Sequence, residues 1–192
     1  FARAQVKARA NYIGVGYRTE FEMPDPAPLV SIIITDAHKQ DNPLDVIKNI
    51  LSRTRYRALE IIIPIPESLM LDDRSLTRFS IGKISLYQMP YFPASSTSEV
   101  LNKAISMANG EVVCIYDASL KVKQHGWLKE MVSIALQAKV GAVGPAIRLR
   151  DGRLWHGGII IGMGGVFGDA HKNLPKGNHG YFGRASLMQE YT

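Results

Sequence analysis

Apolar and polar positions fall in blocks along this chain, and the spacing within the blocks changes in a regular order. Leu29-Val30-Ser31-Ile32-Ile33-Ile34 is a short apolar run rich in β-branched residues, the pattern of a strand buried on both faces of a parallel sheet. Polar residues 36–42 lead through Asn42-Pro43 into Leu44, Ile47, Ile50 and Leu51, spaced as on one face of a helix with proline in its first turn. Leu59-Glu60-Ile61-Ile62-Ile63 predicts a second buried strand, ended by Pro64 and Pro66. Ile81–Met89 gives a weaker third, kinked at Gly82. Thr97–Ala108 reads as a helix with Val100, Leu101, Ala104, Ile105 and Ala108 along one side and Asn109-Gly110 closing it. Glu111–Tyr116 is another buried strand and runs straight into Asp117-Ala118-Ser119. Trp127, Leu128, Met131, Val132 and Ala135 mark a further amphipathic helix, and Val140–Ala146 a short strand.

The order β-α-β-(β)-α-β predicts an α/β fold: an open, mostly parallel sheet flanked by helices, with ligands gathering beyond the carboxyl ends of the strands. Residues 1–28 mix basic and polar side chains and finish in Met23-Pro24-Asp25-Pro26-Ala27-Pro28, a stiff run that reads as an N-terminal extension and linker. The main domain is then 29–192. Glycine is dense from Gly157 to Gly168, and the tail from Asp169 to Thr192 reads as polar and loop-like. The start at Phe1 and the stop after a polar segment predict a fragment of a longer protein.

Composition narrows the classes. A chain of 192 residues with 46% hydrophobic content is enough for one domain with a real core. Its single cysteine, Cys114, lies in an apolar run; it reads as a small hydrophobe in a buried strand rather than a nucleophile. No apolar stretch approaches the roughly 18 residues of a membrane span. The net charge of +6 suits a phosphorylated ligand or an anionic membrane surface. Its 23 basic residues are scattered, with no basic stripe interleaved with aromatics, which argues against a nucleic-acid partner.

Some residues could carry chemistry. Asp117 at a strand end would project into the ligand crevice, where a hard cation bridging a diphosphate takes one or two carboxylates; equally, it could cap the next turn. The glycines at 157, 158, 162, 164, 165 and 168 suit turns, and Phe167 breaks the G-x-G-x-x-G spacing of a dinucleotide site. Histidines 38, 125, 156, 171 and 179 show no helical zinc spacing. His156 reads as structural before it reads as ligand-reaching. Trp127 and Trp155 read as packing residues, while Tyr181-Phe182 are better candidates for stacking.

Taken in order, Val30–Ile34, Glu60–Ile63, a helix carrying Asn102, Gly110-Glu111 before a strand ending in Asp117, and Trp127-Leu128 resemble the family-two glycosyltransferases. Gly141–Gly144, Asp151-Gly152, His156-Gly157-Gly158, Gly162–Gly165 and His171–Pro175 through Gly180–Arg184 are similar to the rhamnosyltransferase and O-antigen-type branch. The resemblance covers roughly residues 28–192. It implies a bacterial GT-A fold of the nucleotide-diphospho-sugar transferase type, binding a nucleoside-diphosphate sugar with a divalent cation, Mg or Mn. Such an enzyme transfers the sugar with inversion to a cell-surface polysaccharide acceptor, a glycan or lipid-linked molecule, at the cytoplasmic face of a membrane. The implied donor-binding positions are Thr35, Asp36, Ile65, Asn102 and Asp117, with Asp117 and Ser119 in the place of the metal-binding D-x-D motif. The catalytic base is expected beyond Thr192.

The departures from the family pattern fall at the donor site. Thr35-Asp36-Ala37-His38 stands where the first strand usually continues with Pro-Thr, and Asp36 is the available substitute. Ile65 replaces an aspartate that would face the nucleobase, Leu101 an arginine, and Ser119 the last acidic residue of the motif. Metal affinity is then expected to be weakened or absent. The expected function is a glycosyltransferase-like domain; the alternatives are a degenerate, non-catalytic binding domain of the same ancestry and an unrelated nucleotidyltransferase.

Overall fold

The computed structural model describes residues 6–40, 42–72, 74, 76 and 84–189. Its first elements lie in the stretch expected to be a linker: β1 (Ala8–Tyr12) and β2 (Tyr17–Phe21) form an antiparallel hairpin in which Tyr12 faces Tyr17. Gly14, at φ 87°, turns the chain between them. The proline run that follows does precede the main sheet. Three strands of that sheet start from the apolar runs: β3 (Val30–Thr35), β4 (Leu59–Pro66) and, after β5 (Ser85–Tyr91), β6 (Val112–Asp117). The four lie in the order β5-β4-β3-β6 and every pairing is parallel. The candidate strand at Ile81–Met89 is thereby placed at Ser85–Tyr91, its kink at Gly82 lying outside the described residues.

Parallel neighbours need crossovers, and the helices supply them. α1 (Pro43–Arg53) carries Pro43 in its first turn, and Asn42 Oδ1 accepts from Leu44 N at 3.0 Å as its cap. α2 (Thr97–Met107) starts at Ser96 with a complete capping box: Glu99 N donates to Ser96 Oγ at 3.3 Å and Ser96 N donates to Glu99 Oε2 at 2.8 Å. α3 (Trp127–Ala135) follows the last strand of the sheet.

The core is two-sided. On one face Val30, Ile32, Ile34, Ile61 and Ile63 pack with Val46, Ile47 and Ile50 of α1 and with Leu128 and Val132 of α3. On the other, Ile33, Ile62 and Met89 meet Ala104 of α2, with Val100, Leu101 and Ala108 around them. Fully burying one isoleucine contributes about 1.5–3 kcal/mol, so the isoleucine-rich strands β3 and β4 dominate this core.

The structure corrects several expectations. β4 is not ended by its prolines but runs through Pro66. Its ladder to β3 stops at Ile62, whereas the ladder to β5 continues to Pro66. Pro64 and Pro66 thus lie where β4 is paired on one edge only, and their missing N–H groups interrupt no ladder to β3. β6 is an edge strand rather than a strand buried on both faces: Val113 and Ile115 are 37% and 55% exposed. Ile105, expected on the inner side of its helix, is half-exposed. No strand forms at Val140–Ala146; a short one, β7 (Ile147–Arg148), pairs antiparallel with β8 (Leu154–His156) instead. β9 (Ile159–Ile161) and β10 (Phe167–Asp169) form a hairpin in the glycine-rich segment, where Gly162, Gly164 and Gly165 all take positive φ. Those glycines therefore serve a turn, as their spacing suggested.

The chain divides into two compact units, Met23–Val132 with the parallel sheet, and Phe1–Glu22 with Ser133–Thr192, which holds the three antiparallel pairs.

Candidate functional site

The carboxyl ends of β3, β4 and β5 open onto a cavity of about 150 Å³. Thr35, Asp36, His38 and Lys39 line it from the end of β3, Pro64 from β4, and Tyr91 and Pro93 from the end of β5. Ser95, Thr97, Val100 and Leu101 complete it from the start of α2. Pockets that enclose a whole drug-sized ligand run to about 300–1,000 Å³, so this one can enclose only part of a larger molecule.

Strand geometry puts the polar groups here. β3 ends at Thr35, and Asp36 turns the chain with φ 56° and ψ 22°, a left-handed conformation that aspartate tolerates better than most residues. Non-glycine residues held in that region gather at ligand sites. A 3-10 turn over Ala37–Lys39 follows and seats Ala37 in the core, fixing its neighbours His38 and Lys39. Lys39 Nζ lies 2.9 Å from Asp36 Oδ1; both are exposed, so the pair adds little stability but leaves both charges on the cavity wall. His38 Nδ1 stands 3.4 Å from Tyr91 Oη with the rings edge-on at 6.1 Å. Burial first, and then Asp36, push the Tyr91 phenol above its ordinary value, so it remains a neutral hydroxyl at physiological pH.

Asp117 ends β6 directly beside Thr35 in the sheet register. Ala118 N donates to Thr35 O at 3.1 Å, tying the two strand ends together. Asp117 Oδ1 accepts from Ser119 N at 2.7 Å, so the turn-capping role open from sequence is realised, by a residue that is itself exposed. Two carboxylates, Asp36 and Asp117, hence stand at neighbouring strand ends, with the Ser119 hydroxyl two residues on.

Of the other expected donor positions, Ile65 is 1% exposed and packed inside, and Asn102 sits on the exposed side of α2; neither lines the cavity. Among the described residues there is no cluster of three or more metal-ligating side chains. The oxygen donors present, Asp36, Asp117 and Ser119, fit a hard cation that takes one or two carboxylates and completes its shell from phosphate and water; they do not fit a self-sufficient protein cage. At the start of α2 the Glu99 carboxylate and the Ser96 hydroxyl already accept from the Ser96 and Glu99 N–H groups, and the negative charge of Glu99 disfavours an anion there.

His156, Asp169, Lys172 and Trp155 form a separate cluster in the other unit. Asp169 Oδ1 lies 3.2 Å from His156 Nδ1 and its Oδ2 accepts from Lys172 Nζ at 2.7 Å, with that ammonium 4.8 Å from the Trp155 ring centre. The hydrogen bonds from Lys172 and then His156 hold the Asp169 carboxyl below its ordinary value. This agrees with a structural His156 that joins β8 to the end of β10.

Sequence reasoning did not find His38, Lys39, Tyr91, Ser95 or Thr97. The only local signal was the Ser/Thr run at 95–98 after a strand; Tyr91 reaches His38 across 53 residues, a contact no periodicity reports.

No family model matches the chain. It is 32% identical over 185 residues to an uncharacterized protein, y4gI, of Sinorhizobium fredii, matching 94% of this chain and 20% of that protein. It is 26% identical over 163 residues to the O-antigen biosynthesis protein RfbC of Myxococcus xanthus, matching 85% of this chain and 13% of the relative. The chain thus spans a fifth or less of the length of the curated relatives it matches. Among solved structures it resembles the mannosyltransferase PcManGT from Pyrobaculum calidifontis, in complex with GDP-Man and Mn2+, with a TM-score of 0.52 and 22% identity over 64% of this chain and 36% of that one. Together with the parallel sheet in the order β5-β4-β3-β6, these likenesses give the chain a glycosyltransferase-like α/β fold of the GT-A type.

Proposed function

We propose that this chain is the donor-binding part of an inverting glycosyltransferase that uses a nucleoside-diphosphate sugar and builds a cell-surface polysaccharide. The observation that carries the reading is the cavity at the carboxyl ends of β3, β4 and β5, with Asp117 at the neighbouring strand end. This is where an open α/β sheet binds its ligand, on a fold similar to that of a sugar-nucleotide enzyme. In this reading the cavity takes one part of the donor, with Thr35, His38 and Tyr91 as its hydrogen-bonding groups and Pro64, Val100 and Leu101 as its apolar wall. Lys39 supplies a cation for the diphosphate. Asp36, Asp117 and Ser119 would hold a divalent cation, which when bound offsets charge on the leaving diphosphate. In this reading the acceptor is a glycan or lipid-linked molecule met at the cytoplasmic face of a membrane, and none of the residues named above is assigned as the base that deprotonates it.

A second reading, a binding domain without transfer activity, is favoured by one observation. Ile65, at the place of a base-reading aspartate, is buried in the core and cannot accept a hydrogen bond.

Calorimetric titration with a panel of nucleoside-diphosphate sugars, with and without manganese, separates the two. Manganese-dependent binding that Asp117→Asn weakens at least tenfold supports the donor site. Binding that ignores both manganese and Asp117 supports the second reading, and silence across the panel defeats both.

A further inference from the structure

The net charge of the chain is not shared between its two units. Met23–Val132 holds 12 Lys and Arg against 12 Asp and Glu, whereas Phe1–Glu22 with Ser133–Thr192 holds 11 against 5 and so carries the entire +6. Among the described residues the charged unit also displays most of the large exposed apolar side chains, several of them at or beside turns.

Tyr12 and Tyr17 close the β1–β2 hairpin with ring centres 5.4 Å apart and are both about two-thirds exposed. Tyr181 and Phe182 meet edge-to-face at 4.6 Å and are 77% and 80% exposed. The two turns touch: a Cβ on Gly183 would meet Val15 at 2.8 Å, and one on Gly16 would meet Leu187 at 3.1 Å. Phe182 is held outward in a left-handed conformation, φ 49° and ψ 34°, which costs a non-glycine residue energy and is maintained only where the surroundings impose it. A third tip, the β9–β10 hairpin, exposes Ile161, Val166 and Phe167 at 71%, 79% and 65%.

From these features we propose that the unit of residues 1–22 and 133–192 docks on an anionic lipid surface, its apolar tips entering the headgroup boundary and its basic excess facing the lipid charge. Charge complementarity selects that occupant, since each Lys or Arg near an anionic leaflet adds attraction and aromatic residues favour the headgroup level. A sugar chain or a single-stranded nucleic acid would use the aromatic rings but gain nothing from Ile161 or Val166, which offer neither a stacking face nor a hydrogen bond. Among the described residues no helix is long and apolar enough to cross a membrane, so the contact proposed is peripheral. The inference does not depend on sugar transfer.

The test is sedimentation of the whole chain, without nucleotide, with vesicles of phosphatidylcholine alone and of phosphatidylcholine mixed with phosphatidylglycerol. The expected result is binding to the mixed vesicles only, weakened by added salt. Phe182→Asn, which suits the left-handed backbone, and Val166→Ser on the separate hairpin should each weaken binding about tenfold with an unchanged thermal midpoint. Equal binding to both compositions, binding to neither, variants that bind like the parent chain, or retention of an RNA oligonucleotide in place of vesicles would each overturn the proposal.

Discussion

Glu60 is a carboxylate placed inside a strand of isoleucines, and its surroundings explain why it is tolerated. It is 3% exposed, accepts from Ser31 Oγ at 2.5 Å, from Asn109 N at 2.6 Å and from Asn109 Nδ2 at 3.1 Å, and so joins β3 and β4 to the turn before β6. Gly110 N donates to the same Ser31 hydroxyl at 2.8 Å, and a Cβ at Gly110 would come within 2.6 Å of Ser31 N, which is why only glycine fits this turn. Burial alone would raise the carboxyl, but the hydrogen bonds from Ser31, Asn109 and Gly110 outweigh it and leave Glu60 below its ordinary value of 4.5. A carboxyl depressed on folding stabilises the protein above its unfolded value and stops doing so as pH falls through its folded value. Glu60→Gln replaces an acceptor with an amide that must present N–H groups to donors, and should cost about 1–3 kcal/mol at neutral pH. Urea unfolding at pH 7 and at steps below 4.5 checks this: the parent chain should lose the difference on acidification, and a variant as stable as the parent at pH 7 would show that the carboxylate is incidental. The apolar run around Glu60 was legible in sequence; its role was not, because its partners lie 29 and 49 residues away.

At the level of elements, strands and helices were legible where the signal is local. Asn42-Pro43 and the apolar spacing behind it located α1, and the alternation of strand and helix gave the parallel sheet. What periodicity could not report was exposure, since Glu111–Tyr116 reads the same whether a strand lies in the middle of a sheet or at its edge. The donor expectation at Ile65 failed to reach the cavity for the same reason: β4 continues through its prolines and carries Ile65 into the core, while Pro64 faces the cavity. α2 permits a quantitative test of local design. Its Ser96 and Glu99 satisfy each other's backbone donors, and Ala104 is its fully buried contact with the sheet. Ser96→Ala removes the acceptor for Glu99 N and should destabilise the chain by about 1 kcal/mol. Denaturant titration should show a lower midpoint at an unchanged slope. Ser96→Asp, which keeps a capping oxygen, should recover most of the loss.

For the whole molecule, the edge of the sheet has the widest consequence. Val113 and Ile115 of β6, opposite Ser31 and Ile33 in the sheet, are exposed next to backbone that is paired on one side only, and Ile105 and Met107 of α2 are exposed as well. An open, apolar edge strand is a template for another chain, and proteins blunt such edges with charge. Glu111 just before β6 and Asp117 at its end are charged, but the five residues between them, Val112–Tyr116, carry no charge at all. The unit that contains this edge also has no net charge to keep copies apart. The chain should therefore self-associate as its concentration rises. Ile115→Lys places an ammonium on the exposed side of the edge without touching the buried Ile32 and Ile34, and should raise the concentration at which association begins while leaving the unfolding midpoint within about 0.5 kcal/mol of the parent. Light scattering across a concentration series reads the first quantity and urea unfolding the second. Association unchanged by Ile115→Lys, in a variant that unfolds normally, would place the self-association elsewhere on the molecule.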